Sequence, residues 1–301
     1  MNQRLPPLPA LRAFEATARH LSFTRAAEEL AMTQAAVSYQ IKVLEDRIGE
    51  PLLLRSTRSV ALTEAGAILA TAATEAFRTL ADGYERAKTG GQVTLSINAI
   101  PSFIGGWLAA NIGAFQVTHP KIAVRIETEM RLVDLVQENY DVGIRIGRGN
   151  WRGLTADMLL RADFTPMLSP ALAASIGGVH EPADLLKLPI IDASDMWWPL
   201  WFRTAGVDPG DALKQRSTSR LGSQSFEGRA AIAGMGVGIL TRSLFKAELA
   251  SGVLIAPFDI VADDDQPFWL VYPEGRRNVP KIRAFRDWIL AAIAAEAATT
   301  S

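Results

Sequence analysis

The stretch SFTRAAEELAMTQAAVSYQIKVLEDRIG, residues 22–49, decides the fold of the first part of the chain. Ser22 is a good N-cap for a short helix, and Thr33 caps a longer helix that Gly49 ends. The longer helix carries an apolar stripe at helical spacing: Val37, Ile41, Leu44 and Ile48. Two helices joined by the short break at residues 31–32 are therefore predicted here.

The second of these helices carries a polar face opposite its apolar stripe. This face, with the cap, comprises Thr33, Gln34, Ala35, Ser38, Tyr39 and Lys42. Gln amides bond adenine edges, Ser and Lys reach bases or phosphates, and Ala contacts a thymine methyl group. A helix-turn-helix places such a face in the major groove of DNA. The alternative is a helical hairpin whose polar face only meets water.

Residues 52–62 are apolar and β-branched, and they predict a small hairpin after the helix pair. Arg55 and Arg58 lie within it, where they would form a wing that grips phosphates. Residues 63–88 then carry small and apolar side chains every three or four positions, which predicts one long helix suited to packing on a partner helix. Thr89-Gly90-Gly91 follows as a linker.

The composition excludes several classes of function. The 301 residues predict two or three domains, and the lack of cysteine excludes disulfides, thiolate metal sites and cysteine nucleophiles. His20, His119 and His180 are isolated, so a zinc enzyme is disfavoured and no metal or cofactor is expected. We see no secretory signal, and the longest small-apolar run (230–240) cannot span a bilayer. A cytoplasmic protein without membrane contact is expected.

From Val93 onward the pattern changes to alternating strands and helices, which predicts a parallel sheet with helical crossovers. The predicted strands are 93–97, 123–128, 142–146, 165–168, 188–192, 237–240 and 268–271. The predicted helices are 107–118, 132–138, 170–175, 199–205, 225–233 and a closing helix at 280–295.

Several motifs resemble the signature of LysR-type transcriptional regulators. In the N-terminal part they are LRAF (11–14), SFTRAAEEL (22–30), TQAAVSYQI (33–41), Leu44-Glu45, Gly49, Arg55 and LTEAG (62–66). The later stretches IPSF (100–103), Trp107-Leu108, His119-Pro120, DVGIRIGRG (141–149), WRGL (151–154) and GMGVG (234–238) resemble the effector domain of the family's glycine-cleavage-activator and β-lactamase-regulator branch. The chain departs at Leu53, where the family usually has phenylalanine.

The resemblance implies a winged helix-turn-helix at residues 1–62, a dimerising linker helix and hinge at 63–91, and a periplasmic-binding-protein-like effector domain of two α/β subdomains at 92–301. Subdomain one would hold residues 93–163 and 268–301, subdomain two residues 165–265, with crossings near 164–166 and 266–268. Thr33–Arg47 would be the recognition helix and Arg55 the wing arginine. A homodimer or homotetramer on double-stranded, pseudo-palindromic promoter DNA is expected.

Ligands of open α/β sheets bind beyond the carboxyl ends of the strands, which selects the candidate effector residues. They are Ser102, Phe103, Met130, Arg131, Arg145, Ser194, Ser223, Ser225 and, at the second crossing, Phe268. A hydroxyl and free backbone N–H groups at residue 102, together with two arginines, predict a small-molecule effector with a carboxylate. Ser102 and Ser225 could instead be plain helix caps, and Arg131 and Arg145 could be ion-paired. A cluster of Trp197, Trp198 and Trp201 fits either core packing or a lid.

Three classes of function remain. A ligand-responsive DNA-binding regulator accounts for both parts of the chain. A cytoplasmic small-molecule binding protein without DNA activity is the alternative. An enzyme is disfavoured because no catalytic triad spacing, phosphate loop or metal cluster is found.

Overall fold

The computed structural model describes residues 5–55, 59–88, 91–129, 131, 133–216 and 219–300. The chain forms two compact units, residues 1–93 and 94–301. Among the described residues no helix is long and apolar enough to cross a membrane. Each unit is described below by itself.

The described part of the N-terminal unit contains four helices and a hairpin, and these include the helix pair, the hairpin and the long helix that the sequence predicts. The elements are α1 (Leu8–His20), α2 (Phe23–Leu30), α3 (Gln34–Ile48), β1 (Leu53–Arg55), β2 (Val60–Leu62) and α4 (Glu64–Lys88). Ser22 caps α2 and Thr33 caps α3, because each side-chain oxygen accepts a hydrogen bond from a backbone N–H three residues later. Gly49 ends α3 with a left-handed φ of 89°.

The core of this unit lies between α1, α2 and α3. Phe14 and the α3 stripe of Val37, Ile41 and Leu44 have no exposed surface, and Leu53 is buried with them. Leucine therefore fills the position where the family usually has phenylalanine. Ala26 and Ala27 are also buried, and their small side chains let α2 approach its neighbours closely.

The second unit contains two parts, each with its own strands and helices, which we call subdomain one and subdomain two. Subdomain one has a five-stranded sheet of β3 (Val93–Ala99), β4 (Ile122–Glu127), β5 (Val142–Ile146), β6 (Leu154–Leu160) and β9 (Phe268–Pro273), in the order β4-β3-β5-β9-β6. Its helices are α5 (Pro101–Phe103), a π-helical turn (Ile104–Leu108), α6 (Ala109–Thr118) and α11 (Pro280–Thr300). The sheet is mixed rather than parallel, since β3 and β5 are parallel but β9 is antiparallel to β5 and β6.

Subdomain two comprises β7 (Phe164–Met167), α7 (Pro170–Ala174), α8 (Trp197–Thr204), α9 (Gln224–Ile232), β8 (Gly238–Thr241) and α10 (Lys246–Ser251). Strands β7 and β8 pair antiparallel. The strand predicted at 188–192 is reduced to one parallel bridge between Ile190 and Val237. The chain leaves subdomain one at residues 161–163 and returns at 263–267, so the first crossing precedes the predicted one by a few residues.

The prediction of a helix at 132–138 is wrong for the described part of that segment, because residues 135–139 form a turn. Asp134 Oδ1 accepts hydrogen bonds from the backbone N–H groups of Val136 and Gln137, at 2.9 and 3.0 Å, and so fixes a turn. Val133, Leu135 and Tyr140 are buried together against β9. Tertiary packing and the Asp134 side chain therefore override the helical spacing of this segment.

Candidate functional site

Helix α3 presents the predicted DNA-contacting side chains on its solvent face. Thr33, Gln34, Ala35, Tyr39 and Lys42 are exposed, and Ser38 is half-buried. Burial of the α3 stripe on the opposite side fixes the rotation of the helix, because these apolar side chains pack only inward. The polar face therefore stands clear of the rest of the described N-terminal unit.

A concave surface that encloses a volume of about 650 Å³ lies at the C-terminal half of this face. Its lining residues are Ser38, Tyr39, Lys42, Glu45, Asp46, Gly49, Glu50 and Pro51. Glu45 Oε1 accepts hydrogen bonds from the backbone N–H groups of Leu52 and Leu53, at 2.9 and 3.3 Å. Glu45 thus ties the hairpin to α3, a positioning role that sequence reasoning did not predict.

For the two predicted wing residues, the structure describes only the backbone of Arg55. The backbone of Arg55 lies in β1, where it pairs with Val60. Arg58 lies outside the described residues.

An ion-pair cluster joins α1 to α2. The Arg19 guanidinium contacts Glu15 at 2.9 Å and Glu29 at 2.6 Å, and His20 Nε2 lies 2.6 Å from Glu29. Hydrogen bonds from Arg19, and then from His20, hold the pKa of Glu29 at about 2, against the opposing effect of burial. The cluster holds α1 and α2 together.

In the second unit, the start of α9 meets the start of α5 across the gap between the subdomains. Ser225 Oγ donates a hydrogen bond of 3.1 Å to the carbonyl of Pro101. Gly105 lies opposite the same hydroxyl, because a Cβ there would come within 2.8 Å of Ser225 Oγ. We call this junction of the two subdomains, with the strand ends and loops around it, the cleft.

Ser223, rather than Ser225, caps α9, since its hydroxyl accepts a hydrogen bond from the N–H of Ser225 at 3.3 Å. Ser102 lies inside α5, not before it, and is buried except for 8% of its surface. Neither Ser102 nor Ser225 therefore serves as a helix cap. The Ser225 hydroxyl lies at the start of α9, against the first residue of α5.

Phe103 and Phe268 lie side by side, with ring centroids 5.6 Å apart, and neither has exposed surface. Both belong to the hydrophobic core of subdomain one, which continues into Ala231 and Leu240 of subdomain two. The structure thus brings these two predicted effector residues together as core, and their rings offer no surface to a ligand in this arrangement.

The two predicted arginines do not converge on the cleft with free charges. The Arg131 guanidinium pairs with Glu138 at 2.5 Å and is more than half exposed. Arg145 is buried and donates to the carbonyl of Val133, and burial lowers its pKa. Met130 lies outside the described residues.

Ser194 lies in a polar loop of subdomain two. Its hydroxyl donates to Asp192 Oδ1 at 2.5 Å and accepts from Arg220 Nε at 3.0 Å. The sequence analysis did not select Arg220, because it lies in the loop between α8 and α9 and follows no predicted strand.

The tryptophan cluster is mainly core. Trp198 and Trp201 have no exposed surface, and both belong to the hydrophobic core of subdomain two. Trp197 is half-buried, stacks on Phe164 with ring centroids 4.2 Å apart, and donates through Nε1 to Asp264 Oδ2 at 2.8 Å. Trp197, the first residue of α8, therefore joins this helix to β7 and to the second crossing.

Sequence reasoning also missed a buried carboxyl group, Glu227, one helical turn after Ser223. Its side chain is 7% exposed, and burial, with Asp195 and Asp192 nearby, raises its pKa to about 7. The available signal was its spacing: residues 223, 227 and 231 share one face of α9, and Ala231 is apolar. Among the described residues no group of three or more His, Asp or Glu side chains could hold a metal ion.

The comparisons with known proteins cover almost the whole chain. The family described as "Bacterial regulatory helix-turn-helix protein, lysR family" matches residues 8–67, and "LysR substrate binding domain" matches residues 88–294. The "Glycine cleavage system transcriptional activator" of Escherichia coli K12 is 38% identical over 298 residues, which are 98% of this chain and 97% of that protein.

The "HTH-type transcriptional activator AmpR" of Pseudomonas aeruginosa is 38% identical over 294 residues, 97% of each chain. The crystal structure of the effector domain of that AmpR has a TM-score of 0.60 at 32% identity, and the match covers 69% of this chain and 99% of that one.

Proposed function

The chain belongs to the LysR family of bacterial helix-turn-helix transcriptional regulators, and on this premise we propose how its own residues read DNA and bind an effector. The DNA-binding domain is residues 1–62, the linker helix and hinge are 63–91, and the effector domain is 92–301. The effector domain binds its ligand between two subdomains and does not turn it over. The protein works in the cytoplasm, where its promoter DNA is.

Helix α3 enters the major groove with Thr33, Gln34, Ala35, Ser38, Tyr39 and Lys42 toward the DNA. Gln34 and Ser38 have the hydrogen-bonding groups to read base edges, whereas Lys42, Arg55 and Arg58 contact phosphates. The observation that carries this proposal is that these side chains, exposed except for the half-buried Ser38, share one face of α3 opposite the buried Val37, Ile41 and Leu44; only Ile48 of the predicted stripe is exposed.

Helix α4 joins two copies of the chain. Large apolar side chains remain exposed along it, with Ile68 at 70%, Leu80 at 60% and Tyr84 at 68%. A helix that leaves such residues in water has a strong drive to bury them against a second copy. The homodimer, or a tetramer of two dimers, then presents two α3 helices to a pseudo-palindromic site.

The effector is a small molecule with a carboxylate, bound in the cleft near Ser102, Ser194, Ser223 and Ser225. The Ser102 and Ser223 hydroxyls and the Arg220 guanidinium beside Ser194 can donate hydrogen bonds to such a group, whereas the Ser194 and Ser225 hydroxyls already donate to Asp192 and Pro101. Arg131 and Arg145 contribute less than the sequence predicts, because their guanidiniums already bond Glu138 and the Val133 carbonyl.

Effector binding controls transcription by changing how the two subdomains meet. Such coupling requires that the ligand bind the two arrangements with different affinities. The Ser225 to Pro101 hydrogen bond is one contact that a ligand entering the cleft would break or reinforce. The altered dimer or tetramer would then change the spacing of the α3 helices on the DNA.

A gel-shift titration of the full chain against the DNA upstream of its own gene, with excess nonspecific competitor, tests the DNA-binding half. Ser38→Asp places a negative charge on the groove face and should abolish specific retardation, because it repels phosphates. Gln116→Glu adds the same charge at an exposed position of α6 and should change nothing. Equal loss in both variants, or retention in Ser38→Asp with its circular dichroism spectrum unchanged, would refute the assignment of this face.

A further inference from the structure

A cavity of about 730 Å³ opens within subdomain two, and we call it the α8 pocket. Its lining residues in the described part of the chain lie between 193 and 216, in the loop before α8, in α8 itself and in the loop that follows. None of these residues belongs to subdomain one, and of those proposed for the effector site only Ser194 is among them. Small-molecule sites in proteins have volumes of about 300 to 1,000 Å³. The α8 pocket is therefore large enough for a ligand of its own.

The α8 pocket reaches the hydrophobic core of subdomain two. Ala193 and Leu213 line it, are each 6% exposed, and belong to that core. Met196 also lines it and is 86% exposed, and its flexible thioether can adapt to the shape of a ligand. The apolar lining residues are Ala193, Met196, Pro199, Val207, Pro209 and Leu213. A ligand with an apolar body would cover surface that the protein alone leaves in contact with water.

The wall after α8 is held in place by the protein's own hydrogen bonds. The Arg216 guanidinium donates to the carbonyls of Ala212, at 3.2 Å, and of Leu186 and Leu188. The Val207 N–H donates to a carbonyl of α8 at 2.9 Å. The pocket is thus formed before a ligand arrives, so binding does not have to order this loop.

One arginine of the pocket has an unused charge. Arg203 lies in the last turn of α8 and is exposed, and its guanidinium has no hydrogen bond or ion pair among the residues described. Lys214, by contrast, pairs with Asp211 at 3.0 Å. The carboxylates of Asp195 and Asp208 accept backbone N–H groups at 2.8 and 2.9 Å. Arg203 is therefore the charged group of the pocket that is available to a ligand.

The charges of the pocket favour an anion over a cation. Its lining has three cationic side chains and two carboxylates, and a site with an excess of positive charge attracts anions. A guanidinium binds a carboxylate through two parallel hydrogen bonds, which fix the direction of the ligand as well as its charge. A carboxylate on the ligand would thus complement Arg203.

We propose that the α8 pocket binds a small molecule with a flat apolar body and one carboxylate. The body lies against Met196 and Leu213, between the rings of Pro199 and Pro209, and the carboxylate binds the Arg203 guanidinium. This site goes beyond the proposed function, because it lies within one subdomain and requires neither a contact from subdomain one nor a change in the cleft.

The test compares 2-naphthoate with 2-naphthamide on the full chain. The two probes have the same flat apolar body and nearly the same shape, but only the naphthoate carries a negative charge. Calorimetry at low ionic strength, where charges are weakly screened, measures both Kd values. The naphthoate should bind with a Kd of about 1 mM or lower, as its size allows, and the naphthamide about five-fold more weakly.

The methionine methyl groups report where the probe binds. The chain has seven methionines, and isotopic labelling of their methyl groups makes them visible by NMR. Met196→Leu and Met235→Leu assign two of the resonances. Saturating naphthoate should shift the Met196 resonance and leave that of Met235 in place, because Met235 is an exposed residue of subdomain two that does not line the pocket.

Two variants assign the charge. Arg203→Gln should weaken naphthoate binding about five-fold and leave naphthamide binding unchanged, because only the naphthoate loses an ion pair. Arg283→Gln removes the same charge from an exposed position of α11 and should leave both Kd values within about two-fold.

Several results would overturn the proposal. Naphthoate that binds no better than naphthamide, or equally well to Arg203→Gln, would exclude Arg203 as the anion-binding group. Naphthoate that binds without shifting the Met196 resonance would occupy a different site. A Met196 resonance that moves when the protein is diluted without ligand would show that a second copy of the chain fills the pocket.

Discussion

The hydroxyl of Ser225 donates a hydrogen bond of 3.1 Å to the carbonyl of Pro101, which joins the first turn of α9 to the first residue of α5. This bond connects two helices that are more than 100 residues apart in sequence and belong to different subdomains. Beside it, the glycines at 105 and 106 let the π-helical turn approach Ser225 and Leu244 without a Cβ between them. The subdomains of the second unit are therefore in direct contact at the cleft.

Ser225→Ala should loosen this contact. A hydrogen bond of this kind contributes about 1 kcal/mol, so its loss would raise the population of the separated arrangement about five-fold. Hydrogen exchange should accelerate at the amides of Ile104–Leu108 and of α9. Ser175→Ala is the control, because the Ser175 hydroxyl bonds Leu172 within the same segment and crosses no boundary. Unchanged exchange in Ser225→Ala would show that the apolar contacts alone hold the cleft closed.

Gly106→Ala should destabilise the second unit. A Cβ at Gly106 would lie 2.7 Å from the carbonyl oxygen of Leu244 and 3.1 Å from its Cα, and backbone atoms cannot move aside cheaply. We expect a loss of about 1 to 3 kcal/mol in urea unfolding. Gly113→Ala lies in the adjacent α6 with nothing within 4 Å of its Cβ, and it should stabilise by about 0.5 to 1 kcal/mol. If Gly113→Ala destabilised the protein more than Gly106→Ala does, the close approach of Gly106 to Leu244 would be refuted.

The N-terminal unit could be predicted from sequence because its signals are local. The caps Ser22 and Thr33, the stripe from Val37 to Leu44 and the terminating Gly49 each act within a few residues, and the structure has the same helices. The polar face of α3 follows directly from the rotation that the buried stripe imposes.

The effector cleft could be predicted only in part, because its geometry depends on distant contacts. The spacing of residues 132–138 is helical, but Asp134 and the packing of Tyr140 make the described part of this segment a turn. In the sequence, Arg131 follows a predicted strand and is therefore expected near the ligand. In the structure its guanidinium forms an ion pair with Glu138. The spacing of residues 223, 227 and 231 places Glu227 on the buried face of α9, but nothing within α9 shows that Asp195 and Asp192 act on its pKa.

Asp141→Asn should be among the most destabilising single substitutions in the second unit. The Asp141 carboxylate is 1% exposed, accepts from the Ser96 N–H at 2.9 Å, and pairs with Arg276 at 2.8 Å and Lys281 at 2.9 Å. Removing its charge takes an ion-pair partner from two buried cations, at a cost of about 3 to 5 kcal/mol.

The control for Asp141 is Asp211→Asn. Asp211 pairs with Lys214 at 3.0 Å, but both side chains are largely exposed, so its loss should cost less than about 0.5 kcal/mol. Chemical unfolding at neutral pH measures both variants. Similar small losses in the two would mean that solvent reaches the Asp141 cluster.

The unliganded protein should lose stability as the pH rises from about 4.5 to about 7, because the pKa of Glu227 is raised to about 7 in the folded state. Above this range the folded chain holds an ionised, buried carboxylate beside Asp195 and Asp192, whereas the unfolded chain solvates it. Glu227→Gln removes this penalty. It should be more stable than the wild type by about 2 kcal/mol at pH 8 and about equal to it at pH 4. A difference between the two proteins that does not change with pH would contradict the raised pKa.

Lys42 should contribute to DNA affinity through phosphates rather than through base sequence. Its side chain is exposed on the groove face of α3, beside Ser38 and Tyr39 in the concave surface. Each phosphate contact releases about one counterion, so Lys42→Ala should lower the slope of log K against log salt by about 1 and weaken specific and nonspecific binding alike.

Gln34→Ala should instead weaken specific binding and leave the slope unchanged, because an amide that reads a base edge releases no counterion. Lys121→Ala, an exposed cation of the second unit, serves as the control and should leave both quantities unchanged. Fluorescence anisotropy between 50 and 300 mM salt, on operator and on scrambled DNA, measures all three variants. If Lys42→Ala changed specificity without changing the slope, Lys42 would contact a base, and the phosphate contacts of α3 would have to come from its neighbours.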